Sequence, residues 1–258
     1  MNTRQVVVLI LLLGGLWLVW PRPEGKRPDV GPKVEPVKPL VKPWFPRRPC
    51  PPNRPCPGED AAERLAFPPV GAITLGGPVG PGGVEVACDL PVELRKKNIG
   101  SHVDGAGMCV ATSIMHAARY QSVPELWNLQ EQAAKMPGGA YPAKVDMYFA
   151  KFAPGVSFLQ YEGHETTILE LALRTGRLPS VTYDGRDVRY GGARIAHMVN
   201  AVALTETQAA ILDNNFVSPP NEILWLSRQE FLSRWTGGRS GWAVILLSES
   251  PPPPPRSK

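Results

Sequence analysis

The sequence predicts an α+β fold, helices leading and an antiparallel sheet following, and three observations carry that prediction. Between residues 108 and 152 apolar side chains recur at the three- and four-residue spacing of helices buried on one side. Between residues 178 and 247 the apolar residues come in short β-prone runs broken by glycine, asparagine and proline. Two of those runs, 196–204 and 208–212, are separated only by Thr205-Glu206-Thr207, a hairpin connection.

A long non-globular arm comes first. Residues 6–20 are apolar and uncharged, a little short for a bilayer span. They end on the bulky Trp17-Leu18-Val19-Trp20 rather than on the small residues that precede signal cleavage. The expectation is a signal-anchor or signal peptide over 1–20, touching the membrane through residues 6–20. The domain is then extracytoplasmic, in the cell envelope, or secreted if the segment is cleaved. Arg22, Lys26 and Arg27 oppose that orientation on the charge rule alone. Residues 21–83 read as a Pro/Gly-rich, largely disordered linker. Thirteen prolines from Pro21 to Pro57 favour extended polyproline-II chain, one or two helical turns fit 58–67, and 71–84 is glycine-rich loop. Cys50 and Cys56 suit a small disulfide loop in an oxidising compartment. No second Cys/His pair at metal-site spacing accompanies them, so neither a metal nor a cofactor is expected.

Charge divides the same way. Residues 1–67 hold 11 Lys/Arg against 6 Asp/Glu, and residues 68–258 hold 17 against 17. The basic character belongs to the arm, which excludes a domain built to bind nucleic acid. A Pro-rich disordered tail is expected at 249–258, and oligomeric state has no signature in the sequence.

The remaining stretch, 84–248, is of ordinary size for one domain. Met108–Gln121 predicts a helix with Val110, Ile114, Ala117 and Ala118 on its inner face. Pro124 is placed to open a second helix running to about Lys135, and Pro142–Phe152 a third. Val156–Tyr161 alternates as a strand. Thr166–Thr175 is a short amphipathic helix closed by Gly176. Leu178–Tyr183, Ala196–Leu204, Gln208–Leu212, Glu222–Leu226 and Gly241–Leu247 are strands, with Asp184–Gly192 a polar loop. Ser227–Trp235 is a helix with Ser227 as cap and Glu230 three residues on, the capping-box pattern.

One stretch is chemically conspicuous: Asp104-Gly105-Ala106-Gly107-Met108-Cys109. A glycine-rich turn delivers a cysteine to a helix start, where unpaired backbone N–H groups and the helix dipole favour the nucleophilic thiolate. Most free cysteines are simply small buried apolar residues, the reading that fits Cys88. A nucleophilic cysteine needs a base, usually histidine, and the base an orienting acceptor. Of the four histidines, His102 lies in the loop, His116 is two helical turns beyond Cys109, and His164 precedes a helix as a surface or capping residue. His197 opens a strand, and the hairpin places it near Asp213-Asn214-Asn215, where an Asp or Asn can accept the ring N–H.

The order of cysteine at a helix start, histidine at a strand start and Asp/Asn after the next strand resembles the papain-like fold. Within it the chain looks most like the bacteriocin-leader-processing (double-glycine) peptidase family. The likeness rests on Gly107-Met108-Cys109-Val110-Ala111-Thr112-Ser113, on Gly176-Arg177-Leu178-Pro179-Ser180-Val181, on Gly192 with His197-Met198-Val199, and on Ile211-Leu212-Asp213-Asn214-Asn215. Trp225 to Phe231, Trp235 and Gly241-Trp242-Ala243 extend it over about residues 95–247. The resemblance implies a two-lobe domain, a helical lobe carrying the nucleophile helix and a C-terminal antiparallel β-sheet lobe. It implies a thiol hydrolase, a cysteine peptidase acting on a peptide or protein substrate through a thioester. Cys109 would be nucleophile, His197 base and then acid, and Asp213 or Asn214 the orienting acceptor. The Cys109 backbone N–H would serve the oxyanion hole. The usual glutamine just before the cysteine is missing, and Asn98, His102 and Ser101 are the candidates to replace it, Asn98 first. A cell-wall amidohydrolase or acyltransferase, and a catalytically dead peptide-binding module, are the other readings of the same fold.

Overall fold

The computed structural model describes residues 79–218, 223–237 and 241–248. The segment 1–20, the linker up to residue 78 with Cys50 and Cys56, and the tail 249–258 lie outside the described residues. Among the described residues no helix is long and apolar enough to cross a membrane.

Helices and a mixed-order antiparallel sheet make up the domain. The helices are α1 (Cys109–Tyr120), α2 (Leu129–Ala133), α3 (Pro142–Phe152), α4 (Thr167–Arg174) and α5 (Arg228–Thr236). The strands are β1 (Phe158–Glu162), β2 (Ser180–Arg186), β3 (Arg194–Leu204), β4 (Gln208–Leu212), β5 (Ile223–Ser227) and β6 (Trp242–Leu246). They form one six-stranded sheet in the order β1-β6-β2-β3-β4-β5, every neighbouring pair antiparallel. The last strand among the described residues, β6, therefore lies between β1 and β2, a placement that no local pattern announces.

Alternation along the strands feeds two apolar layers. Met198, Val202, Leu212, Trp242 and Val244 pack with the α1 side chains Ile114, Met115 and Ala118. Their neighbours Val199, Ala201, Ile211 and Ala243 pack on the other face with Phe231 and Trp235 of α5. The sheet is thus covered on both faces. Helix α1 is more deeply placed than a one-sided stripe implies: every residue from Val110 to Ala118 is buried, with Tyr120. A helix closed in on all sides must satisfy its polar side chains internally. Thr112 donates to Met108 O at 2.8 Å and Ser113 to Met198 O at 3.0 Å.

Three expectations need correction. The helix expected from Pro124 is broken into a 3-10 turn, Pro124–Leu126, and α2. The Arg119 guanidinium takes the Trp127 carbonyl at 3.2 and 2.9 Å, removing an acceptor that a continuous helix would use. Strand β2 runs on through Asp184, Gly185 and Arg186, paired with Ala196, Ile195 and Arg194, so the loop after it is shorter than expected. The rest of that loop is a 3-10 turn, Val188–Tyr190, capped by Asp187. At the start of α5, Ser227 Oγ accepts from Glu230 N at 3.1 Å as the capping pattern requires, whereas the Glu230 carboxylate accepts from Arg234 instead of reaching back.

Candidate active site

The turn before Cys109 is fixed by backbone. Ser101 N donates to Ala106 O at 2.8 Å and Gly105 N to Ser101 O at 3.0 Å, while Gly100 and Gly107 pair as an isolated bridge. Gly105 sits at φ 72°, a left-handed conformation that side chains resist. Asp104 closes the turn with its carboxylate, accepting from Ala106 N at 3.0 Å and from Gly138 N, and these bonds hold its pKa below the usual range. Its charge is engaged at that turn and does not line the cleft. Met108 N donates to Ile99 O at 2.9 Å, and α1 begins at the next residue.

Cys109 is half-buried and opens onto a cleft of about 440 Å³. Asn98, Gly107, His197, Asn215 and Trp242 share its walls. The cleft contrasts with the surroundings of Cys88, which is fully buried and whose thiol burial pushes up to about 12. Cys88 is a core residue.

Strand alternation decides the rest of the site. Asn200 pairs with Leu212, so continuing that register sets Asn214 opposite Met198 and Asp213 opposite Val199. Residues two apart share a face. Asn214 therefore falls on the side of Leu212 and α1, and Asp213 on the side of Ile211, the side of His197 and Val199. The hydrogen bonds agree. His197 Nε2 lies 3.0 Å from Asp213 Oδ1. Asn214 Nδ2 instead donates to Cys109 O at 3.1 Å, Ser113 Oγ at 2.9 Å and Met198 O at 3.0 Å. The structure brings Cys109, His197 and Asp213 together; it turns the side chain of Asn214 away from the imidazole and ties α1 to β3 with it.

Asp213 is completely buried yet accepts three hydrogen bonds and faces one ion-pair partner. Oδ1 takes His197 Nε2 and Asn215 N at 2.9 Å, and Oδ2 takes Tyr190 Oη at 2.8 Å and Arg189 Nη2 at 3.1 Å. Burial alone would raise its pKa, but the bond and charge of His197 with the Asn215 and Tyr190 donors hold it below the usual carboxylate value. Burial likewise pushes the His197 ring down, and it is overcome by hydrogen bonds to Asp213 and Cys109 and by the charges of both, which lift the ring to about 9. With Nε2 on Asp213, Nδ1 is the nitrogen left for the sulfur.

Asn98 lines the same cleft. Its Oδ1 is buried without a hydrogen-bond partner among the described residues, and its Nδ2 lies 3.5 Å from the place a Cβ on residue 107 would occupy. Glycine there leaves the amide room on the wall of the cleft that Cys109 also lines, and the Cys109 backbone N–H, as the first of the helix, has no intrahelical acceptor. Ser101 is buried and committed to Met136 O at 2.9 Å, and His102 is exposed outside the cleft. His116 is fully buried, accepts from Lys96 N at 2.9 Å, and is lowered to about 4 chiefly by burial; it is a neutral core histidine. His164 is exposed and lies outside the cleft.

Tyr190 and Arg189 escaped the sequence reading, which took residues 184–192 as plain loop. The available signal was a cap residue, Asp187, followed by Gly191-Gly192, a start and a stop that together enclose one turn. Gly191 and Gly192, at φ 63° and 76°, reverse the chain into β3.

No protein-family model matches the chain, and no curated protein matches it.

Proposed function

We propose that this chain is a thiol hydrolase with a papain-like, two-lobe arrangement, most simply a cysteine peptidase held in the cell envelope by residues 6–20. The observation that carries the reading is the convergence on one cleft of the Cys109 residue, the His197 imidazole and, behind it, a buried carboxylate, from α1, β3 and the residues after β4. In the first step the Cys109 sulfur attacks a peptide carbonyl carbon, and the C=O electron pair moves to oxygen. The oxyanion is met by the Cys109 N–H and the Asn98 amide. His197 gives its proton to the leaving amine as the C–N bond breaks, and a thioester remains. Water then gives a proton to His197 and attacks the thioester; the acid leaves and the sulfur is released.

Alkylation of the full chain by iodoacetamide at about pH 6, mapped by peptide mass spectrometry, tests the reading. Cys109 is expected to react much faster than free glutathione, and His197→Ala to slow it by at least about tenfold. A Cys109 rate equal to that of glutathione overturns the proposal. Incubation with a mixed peptide library and with peptidoglycan fragments then separates peptidase from amidohydrolase, and Cys109→Ala abolishes whichever turnover occurs.

A further inference from the structure

We propose that Arg189 is a positioning residue for this site, a permanent positive charge that keeps Asp213 ionised and turned toward His197 through the whole reaction cycle. The proposal rests on the hydrolase reading for its purpose, though the coupling it describes can be measured without turnover.

The need for such a charge follows from the burial of Asp213. A carboxylate with no exposed surface requires a counter-charge. His197 supplies one only while it is protonated, and in the proposed cycle that proton departs with the amine. A neutral imidazole would then face a buried anion with nothing to balance it. A guanidinium does not lose its proton in proteins. Arg189 Nη2 stands 3.1 Å from Asp213 Oδ2, and Oδ2 is the oxygen that His197 does not use. Tyr190 Oη shares Oδ2, so the carboxylate is held on both oxygens and cannot swing away from the ring.

Arg189 is itself fixed from three sides. Its backbone N donates to Asp187 Oδ1 at 2.8 Å, and its Nη2 lies 3.1 Å from Asp187 Oδ2. Tyr183 Oη donates to the same Asp187 oxygen at 2.8 Å from the neighbouring strand. The ring of Phe216 lies 5.0 Å from the guanidinium carbon. These anchors come from β2, the 3-10 turn and the segment after β4, the elements that frame the imidazole.

The charged and titratable groups around His197 are Cys109 from α1, Tyr183 from β2, its cross-strand partner, Asp184 from the same strand, whose Oδ1 accepts from His197 N at 3.2 Å, Asp187, Arg189 and Tyr190 from the turn, and Asp213. With the imidazole protonated, Asp187, Arg189, Asp213 and His197 carry two negative and two positive charges. Loss of the shared proton leaves these four groups with one net negative charge. Without Arg189 that state is more negative still, so the His197–Asp213 pair keeps its proton to higher pH, whichever partner holds it. Removing Asp187 does the opposite. A guanidinium that served only to fill space would leave the midpoint where it is when Arg189 is removed.

The experiment is an NMR pH titration of the imidazole nitrogens in the full chain labelled with 15N-histidine, with His197 assigned through His197→Gln. In Arg189→Met the His197 midpoint is expected to rise by roughly one pH unit, in Arg189→Lys to stay near wild type, and in Asp187→Asn to fall. A folded Arg189→Met protein, checked by circular dichroism, that titrates as wild type overturns the proposal. Should that variant fail to fold, an Asp187→Asn midpoint that is unmoved or raised overturns it instead. Cys109 alkylation in the same proteins keeps the two readings apart. A shifted His197 midpoint with a sulfur of ordinary reactivity supports the Arg189 coupling and removes the hydrolase.

Discussion

Asp213 and Asn214 are adjacent, both fully buried and both rich in hydrogen bonds, yet they do different work. One presents acceptors to an imidazole, a tyrosine and an arginine; the other presents donors to a carbonyl, a hydroxyl and a second carbonyl. Chemistry fits each to its place, since a carboxylate can only accept and an amide nitrogen can only donate. The pH dependence of stability follows from the first. The His197 ring is lifted from its ordinary value of 6.5 to about 9, so folding favours its protonated form. Below about 6.5 folded and unfolded rings are both protonated and the contribution is complete. As pH rises the unfolded ring loses its proton first, and the contribution fades until it is gone above about 9. Asp213 works in the other direction: its depressed value gives stability at neutral pH that is lost as pH falls through the acid range. The urea midpoint of the wild-type chain is therefore expected to drop between about pH 6.5 and 9. In His197→Gln that drop should shrink; an identical drop in the variant would show that other groups cause it.

At the scale of elements, the site depends on how α1 is held against β3. Ser113 reaches Met198 O, Asn200 Nδ2 reaches Ser113 O at 3.0 Å, and Asn214 Nδ2 joins Cys109 O, Ser113 Oγ and Met198 O. A single side chain thus joins the helix that bears the sulfur to the strand that bears the imidazole. Asn214→Ala leaves those acceptors without their buried donor, at a cost of about 1–3 kcal/mol. Denaturant unfolding should show that loss, and hydrogen exchange should show the first amides of α1 opening sooner. Unchanged exchange at α1 would mean that helix packing alone fixes the sulfur. Helix α1, helix α3 and the β3–β4 hairpin were legible in the sequence because period and turn chemistry are local. The break at Trp127 was not, because it depends on Arg119 from another element, and the extra length of β2 was not, because only the partner β3 reveals it.

Across the molecule, the sheet is a wall with an apolar layer on each face, α1 on one and α5 on the other. Trp235 of α5 is fully buried, and its Nε1 donates to the carbonyl of Trp242, a residue of the cleft wall. Trp235→Ala is expected to cost roughly 3–5 kcal/mol. Both layers share one sheet, so far-UV circular dichroism and fluorescence should report one common transition at a lower denaturant midpoint. Separate transitions would show that the two faces unfold independently.

Taken alone, the sequence determined most of the helices and strands, that the helices lead, and that Cys109, His197 and Asp213 or Asn214 were the residues to watch. These follow from periodicity, caps and side-chain chemistry, each set within a few residues of chain. Only the tertiary structure set Asp213 rather than Asn214 against the imidazole, put Asn98 on the cleft wall, seated β6 between β1 and β2, and drew Arg189 and Tyr190 to the buried carboxylate. Those outcomes turn on strand register and on contacts between residues remote along the chain, where a shift of one position sends a side chain to the opposite face of the sheet.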